Sequence, residues 1–173
     1  FHVHDDGRTM VHKVDAAGHY QNHIYRSIAQ HEIIFGADLD GDGYITIEAN
    51  GDYVIYGGDG NDTIYGASGN DILDGGIGSD TITTGNGLDQ IILRIGDGGN
   101  ALSDADIITD FTDGSDYFGL TNTLSFADLT ITQVTDDYSN DTIISYGTEY
   151  LAILQNIDVN FLTEADFVGV DIA

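Results

Sequence analysis

From residue 57 the aliphatic positions of this chain fall on a period of nine. Four consecutive blocks read GGDGNDTIY (57–65), GASGNDILD (66–74), GGIGSDTIT (75–83) and TGNGLDQII (84–92). The eighth place is always aliphatic (Ile64, Leu73, Ile82, Ile91), the fourth is always glycine and the sixth is always aspartate. One aliphatic side chain in nine fits neither a helix face nor a long alternating strand. It predicts strands of about three residues that point a single side chain inward, joined by glycine turns. Residues 48–56, EANGDYVIY, keep Gly51 and Ile55 in phase but put Tyr53 where the aspartate belongs, with Asp52 one place off as a possible substitute. Ahead of this degenerate coil, Tyr44, Ile45, Thr46 and Ile47 alternate as a strand. Ile24, Ile28, Ile33 and Ile34 predict an amphipathic helix over 22–35. His2, Val3 and His4 with Val11 and His12 predict a hairpin about Asp6 and Gly7. After the repeats the pattern is β-rich, with Ile107, Ile108 and Phe111 buried and a turn at Asp113 and Gly114. Strands follow over 129–134, 142–146 and 150–154. Ser- and Thr-capped single helical turns are expected at 125–128 and 163–166.

Charge sharpens the picture. In 173 residues, thirty acids face four bases, for a formal net charge of -26, and 26 of the acids are aspartate. Aspartate favours turns over helices and is a short oxygen donor for hard cations. Residues 1–26 are neutral overall, whereas everything from Ser27 onward carries 27 acids and one base, Arg94. All six histidines lie at or before His31. The shift in composition divides the chain into an N-terminal segment (1–37), a repeat segment (38–92) and a C-terminal segment (93–173). Such a charge excludes nucleic acid and anionic membrane surfaces as partners. No apolar run approaches ~18 residues, which excludes membrane insertion by a helix. The start at Phe1, without a signal peptide, reads as a processed or excised piece.

With no lysine or arginine between Ser27 and Leu93, the turn aspartates have only a cation to face. The nonapeptide itself is a calcium-binding parallel β-helix repeat. A second calcium motif precedes it in DLDGDGYITIEA (38–49). Asp38, Asp40 and Asp42 take loop places 1, 3 and 5, and Tyr44 offers its carbonyl at place 7. The closing glutamate of a helix–loop–helix site belongs at place 12, where Ala49 stands; Glu48 at place 11 is the nearest substitute. His31 and Glu32 begin a zinc-protease motif, but Phe35 replaces its second histidine. His2, His4 and His12 are read as ordinary histidines and not as a metal site. No nucleophile elbow, phosphate loop or cysteine nucleophile is present, so the chain is read as a non-enzyme.

These blocks resemble the RTX family, the hemolysin-type calcium-binding repeats of proteins exported by type I secretion. The resemblance implies an all-β fold: a right-handed parallel β-roll with two nonapeptides per coil and an antiparallel β cap. It implies that repeat n shares an ion with repeat n+2, so that Asp62 pairs with Asp80 and Asp71 with Asp89. Carbonyls of Gly58, Gly60, Gly76 and Gly78 would complete one edge, and those of Ala67, Gly69, Gly85 and Gly87 the other. Ala67, Ser68 and Thr84 replace family glycines, which implies altered affinity. Residues 104–120 resemble the segment that follows the repeats in serralysin-type proteases, where Asp104, Asp106 or Asp110 would complete the last calcium shell; Asp110 is carried in the ligand set. Residues 164–170 resemble the family's export signal. The function implied is a structural, calcium-folded module of a secreted or cell-surface protein, holding three to five Ca2+ and passing through the type I secretion apparatus. The alternatives are a polysaccharide- or matrix-binding module, with Tyr53, Tyr56 and Tyr65 as stacking surfaces, and a self-assembling surface-layer or filament subunit.

Overall fold

A computed structural model describes residues 51–121, 123–134 and 140–170, together with the backbone of five strands in the first fifty residues: β1 (His2–Val3), β2 (Thr9–Val14), β3 (Tyr20–Arg26), β4 (Glu32–Phe35) and β5 (Tyr44–Thr46). The repeats form β6 (Tyr53–Asp59), β7 (Thr63–Tyr65), β8 (Ile72–Ile77), β9 (Thr81–Thr83) and β10 (Gln90–Leu93). Beyond them lie β11 (Asp106–Ile108), β12 (Tyr117–Leu120), β13 (Leu129–Gln133), β14 (Thr142–Tyr146), β15 (Glu149–Leu154) and β16 (Phe167–Gly169).

From β4 to β12 successive strands alternate between two sheets, so each coil of the repeats contributes one strand to each. The order is β1-β2-β3-β4-β6-β8-β10-β12-β16 in one sheet and β13-β14-β15-β11-β9-β7-β5 in the other. Within the repeats the pairing is parallel and the stride is two nonapeptides: Ile55 lies opposite Leu73, Leu73 opposite Ile91, and Ile64 opposite Ile82. The expected all-β parallel roll is what the chain adopts. After the repeats the stride lengthens. Ile82 pairs with Ile108 and Ile91 with Phe118, and then Ile108 with Leu154 and Phe118 with Phe167. The last stride leaves room for β13, which pairs with β14, itself antiparallel to β15. Those three strands are the antiparallel part of the cap. The expected single turns are present as 3-10 turns at Phe126–Asp128 and Glu164–Asp166.

The core is a double file of the eighth-place side chains. Ile55, Leu73, Ile91 and Phe118 on one sheet and Ile64, Ile82, Ile108 and Leu154 on the other are fully buried. At the C-terminal end the file becomes aromatic: Phe111 stacks on Phe118 and Phe118 on Phe167, with centroids 5.1 and 5.2 Å apart. An all-aliphatic file one residue wide buries little area per coil, and the larger rings supply more where the roll closes.

Two expectations at the N-terminus are corrected. The helix over 22–35 is not formed, because Tyr20–Arg26 and Glu32–Phe35 are strands. The isoleucines that suggested a helix face are β-branched and sit among Tyr20, Tyr25 and Phe35. β4 also finds a ready ladder in β6, with Ile33 opposite Val54 and Ile34 opposite Ile55. The hairpin is present, but its register sets His2 opposite Met10; His12 lies opposite His23 on β3.

Candidate metal centre

The turns between the strands fall on two edges. One carries the turns β6–β7, β8–β9 and β10–β11; the other carries β7–β8, β9–β10 and β11–β12. The backbone there needs residues free of a Cβ. Gly78 has φ +146°, and a Cβ on it would press into the carbonyl oxygen of Gly60 in the coil before. Gly76, Gly85 and Gly87 face the carbonyls of Gly58, Ala67 and Gly69 in the same way. Of the eight carbonyl-bearing residues named from the sequence, Gly60, Ala67, Gly69, Gly78, Gly85 and Gly87 stand in these turns, while Gly58 and Gly76 pair with each other near the ends of β6 and β8. Ala67 keeps the glycine conformation, with φ 72°.

The aspartates stack in two columns. The Asp62 N–H donates to Asp80 Oδ1 (2.8 Å), and the Asp71 N–H donates to Asp89 Oδ1 (2.8 Å), so the structure stacks the aspartates of repeats n and n+2 on one another. Each column runs further than the repeats. At its upper end the Tyr53 N–H donates to Asp71 Oδ1 (2.8 Å). At the lower ends the Asp80 N–H donates to Asp106 Oδ1 (2.9 Å) and the Asp89 N–H to Asp116 Oδ1 (3.3 Å). One oxygen of each carboxylate is thus committed to the backbone. The other, Oδ2 of Asp71, Asp80 and Asp89, is buried with no hydrogen-bond partner.

That second oxygen tests whether the turns suit calcium. A buried carboxylate oxygen without a donor is costly unless a cation faces it. Burial pushes the Asp71 carboxyl up to about 7, with the Asp89 and Asp52 charges adding to it against the Tyr53 hydrogen bond. Burial likewise raises Asp80 and Asp89 to about 6 and Asp106 to about 8. Among the described residues no three acidic or histidine side chains converge on one point. The donors at a rung are therefore at most a pair of carboxylates, with turn carbonyls as the remainder. Hard, all-oxygen and carbonyl-rich, this set fits Ca2+.

Other predicted residues fall differently. Asp38, Asp40, Asp42 and Glu48 lie outside the described residues, while Tyr44 opens β5. Asp104 caps a local turn, its Oδ2 accepting the Ala101 N–H (3.0 Å). Asp110 lies across the turn from Thr84, with both its oxygens accepting hydrogen bonds. Asp52 takes the part of an asparagine in the neighbouring column: its Oδ1 accepts the Asn70 N–H (2.6 Å), as Asn61 accepts Ser79 and Asn70 accepts Leu88. Asp116 was not singled out as a ligand, yet the signal is legible: Asp106 and Asp116 each stand two residues before a buried core position, Ile108 and Phe118, as every repeat aspartate does. Arg94, the lone late base, bridges the buried Asp74 (2.5 Å) and Asp97 (3.3 Å).

Comparison with known families agrees with this geometry. Residues 56–91 and 68–100 match the RTX calcium-binding nonapeptide repeat, in four copies. The nonapeptides of this chain are RTX repeats. No curated protein matches the chain. Among solved structures, the AlgE6R2 subunit of the Azotobacter vinelandii mannuronan C5-epimerase is 21% identical, covering 78% of this chain and 91% of that one, with a TM-score of 0.51. The AlgE6R3 subunit is 20% identical over 73% of this chain and 83% of its own, with a TM-score of 0.44. The extracellular lipase LipA of Serratia marcescens is 17% identical; the match covers 93% of this chain but only 26% of the lipase, with a TM-score of 0.46. The likeness to the AlgE6R2 subunit shows a shared fold. Among the described residues no helix is long and apolar enough to cross a membrane.

Proposed function

We propose that this chain is the calcium-folded RTX module of a secreted or cell-surface protein, with a structural, stabilising role and no catalysis of its own. The observation that carries the reading is the set of buried second oxygens of Asp71, Asp80 and Asp89, each without a hydrogen-bond partner in a turn of facing carbonyls. Asp62 and Asp80, with the carbonyls of Gly58, Gly60, Gly76 and Gly78, would hold one ion. Asp71 and Asp89, with those of Ala67, Gly69, Gly85 and Gly87, would hold another. Asp106 extends the first column by one rung. Asp38, Asp40 and Asp42 add a further site between β4 and β5, whose neighbours β6 and β7 flank the Asp62 turn. Tyr44 and Glu48 would complete it. Two ions in the roll and one at the Asp38 loop are the minimum, and the Asp106 rung makes four, within the three to five that the family implies.

The bound ion supplies positive charge to bridge successive coils, and its binding free energy adds to folding. Where calcium is scarce, the 27 acids beyond residue 26 repel one another and the chain stays threadable for type I export. Outside the cell, calcium closes the roll. Circular dichroism during a Ca2+ titration of EDTA-stripped protein tests this. The β signal should rise as calcium reaches millimolar levels, and Mg2+ should substitute poorly because it holds its waters and demands octahedral geometry. An unchanged spectrum would overturn the reading.

A further inference from the structure

Thr84 opens the fourth nonapeptide, at the place where Gly57, Gly66 and Gly75 open the other three. At those glycines the chain passes too close to its neighbours to carry a side chain. A Cβ on Gly57 would press into the Gly75 carbonyl oxygen and stand 2.8 Å from Asp62 Oδ2, and one on Gly66 would press into the Thr84 carbonyl oxygen and stand 2.9 Å from Asp71 Oδ2. Thr84 carries a fully buried side chain at that place. Its hydroxyl donates to Asp110 Oδ1 (3.0 Å) and lies 3.2 Å from Asp116 Oδ2. Backbone donors surround the same two carboxylates. The Thr84 N–H reaches Asp110 Oδ1 (2.8 Å) and the Gly85 N–H reaches Asp110 Oδ2 (2.9 Å). The Asp89 N–H reaches Asp116 Oδ1 (3.3 Å) and the Thr112 N–H Asp116 Oδ2 (2.9 Å). All four oxygens therefore have protein donors, whereas Asp71, Asp80 and Asp89 each keep one oxygen with none.

We infer that the cation ladder on this edge ends at Thr84: the rung between the 84–89 turn and the 109–116 turn is closed by hydrogen bonds from the backbone and from the Thr84 hydroxyl to Asp110 and Asp116. A carboxylate saturated by N–H and O–H donors gains little from a cation that must displace them. On this edge the C-terminal part thus joins the roll without calcium, and Asp110 serves as a hydrogen-bond acceptor and not as a ligand. The inference rests on the calcium reading for the rungs above it, and its test separates the two.

Amide hydrogen exchange, read by residue in EDTA and then in calcium, is the primary measurement. The amides of Thr84, Gly85 and Thr112 should exchange at least about tenfold more slowly in EDTA than those of Asp62 and Asp71, whose acceptor carboxylates keep a buried oxygen without a donor when no cation is bound. Calcium should then slow Asp62 and Asp71 while moving Thr84, Gly85 and Thr112 little. Ion counting by native mass spectrometry gives the second readout. Thr84→Ser and Thr84→Val should bind as many Ca2+ as the natural chain, and Thr84→Gly, which keeps the four backbone donors, should bind no more. Fast exchange at Thr84 and Gly85 in EDTA, one ion lost in Thr84→Val, or an ion gained in Thr84→Gly would each overturn the inference. Failure of the natural chain to bind calcium would overturn the calcium reading, while the EDTA exchange pattern still decides the hydrogen-bonded rung.

Discussion

Ala67 shows how far a single residue of the repeat can depart from consensus. Its φ of 72° lies in the left-handed region, which costs an alanine roughly 1–2 kcal/mol relative to a glycine. Its carbonyl still meets Gly85, as that of Gly58 meets Gly76, so the coil keeps its shape and bears the strain. Ala67→Gly should therefore stabilise the calcium-loaded protein by up to about 1 kcal/mol, less whatever the freer unfolded chain takes back, visible as a rise in melting temperature. Asp71→Asn separates the two duties of the turn aspartate. The amide oxygen can still accept the Tyr53 N–H, but the charge is gone. The expected outcome is one calcium ion fewer by native mass spectrometry, together with more β structure in chelator, because a buried charge has been removed from the cation-free state.

Each strand of the roll owes its place to one inward side chain and one neighbour on either side. Ile82 in β9 is fully exposed to its stack, with Ile64 above it in β7 and Ile108 below it in β11, and has no contact with solvent. Ile82→Ala should cost about 2–5 kcal/mol in calcium-saturated protein, measured by denaturant unfolding, since a file one residue wide has little to collapse into the cavity. Beside β10, Arg94 pairs with Asp74, which is otherwise buried with its Oδ1 lacking a hydrogen-bond partner. Arg94→Met leaves that carboxylate uncompensated and should lower stability by about 1–3 kcal/mol, again by denaturant unfolding. The N-terminal strands illustrate the opposite balance. Local spacing favoured a helix over 22–35, but the open edge of β6 offered β4 a parallel ladder, and pairing outweighed propensity.

For the molecule as a whole, the buried carboxyls turn calcium dependence into pH dependence. Asp71, Asp80, Asp89 and Asp106 are raised from 3.8 to between about 6 and about 8, chiefly by burial. Without calcium the folded chain therefore binds more protons than the unfolded one between pH 4 and the raised values, and its stability falls as pH rises through that window. In EDTA the roll should show more β structure at pH 5 than at pH 7.5. Calcium affinity should run the other way, weaker at pH 5.5 than at 7.5, because the ion competes with those protons; calorimetric titration at the two values checks it. The sequence alone determined the short strands, the glycine turns and the eighth-place core, because a strict nine-residue period with glycine, aspartate and an aliphatic residue at set places leaves the chain few other ways to bury its apolar atoms. The two-nonapeptide stride and the stacking of Asp62 with Asp80 and Asp71 with Asp89 were implied by the resemblance to the RTX family. The tertiary structure decided what lies outside the period: that Asp106 and Asp116 continue the columns after longer strides, that Asp52 serves a neighbouring column, and that Asp110 meets Thr84. The contacts of Asp106, Asp110 and Asp116 join residues 26 to 32 apart through loops of irregular length, so although Asp106 and Asp116 keep their place two residues before a core position, only the stacking of coils decides which turn each one meets.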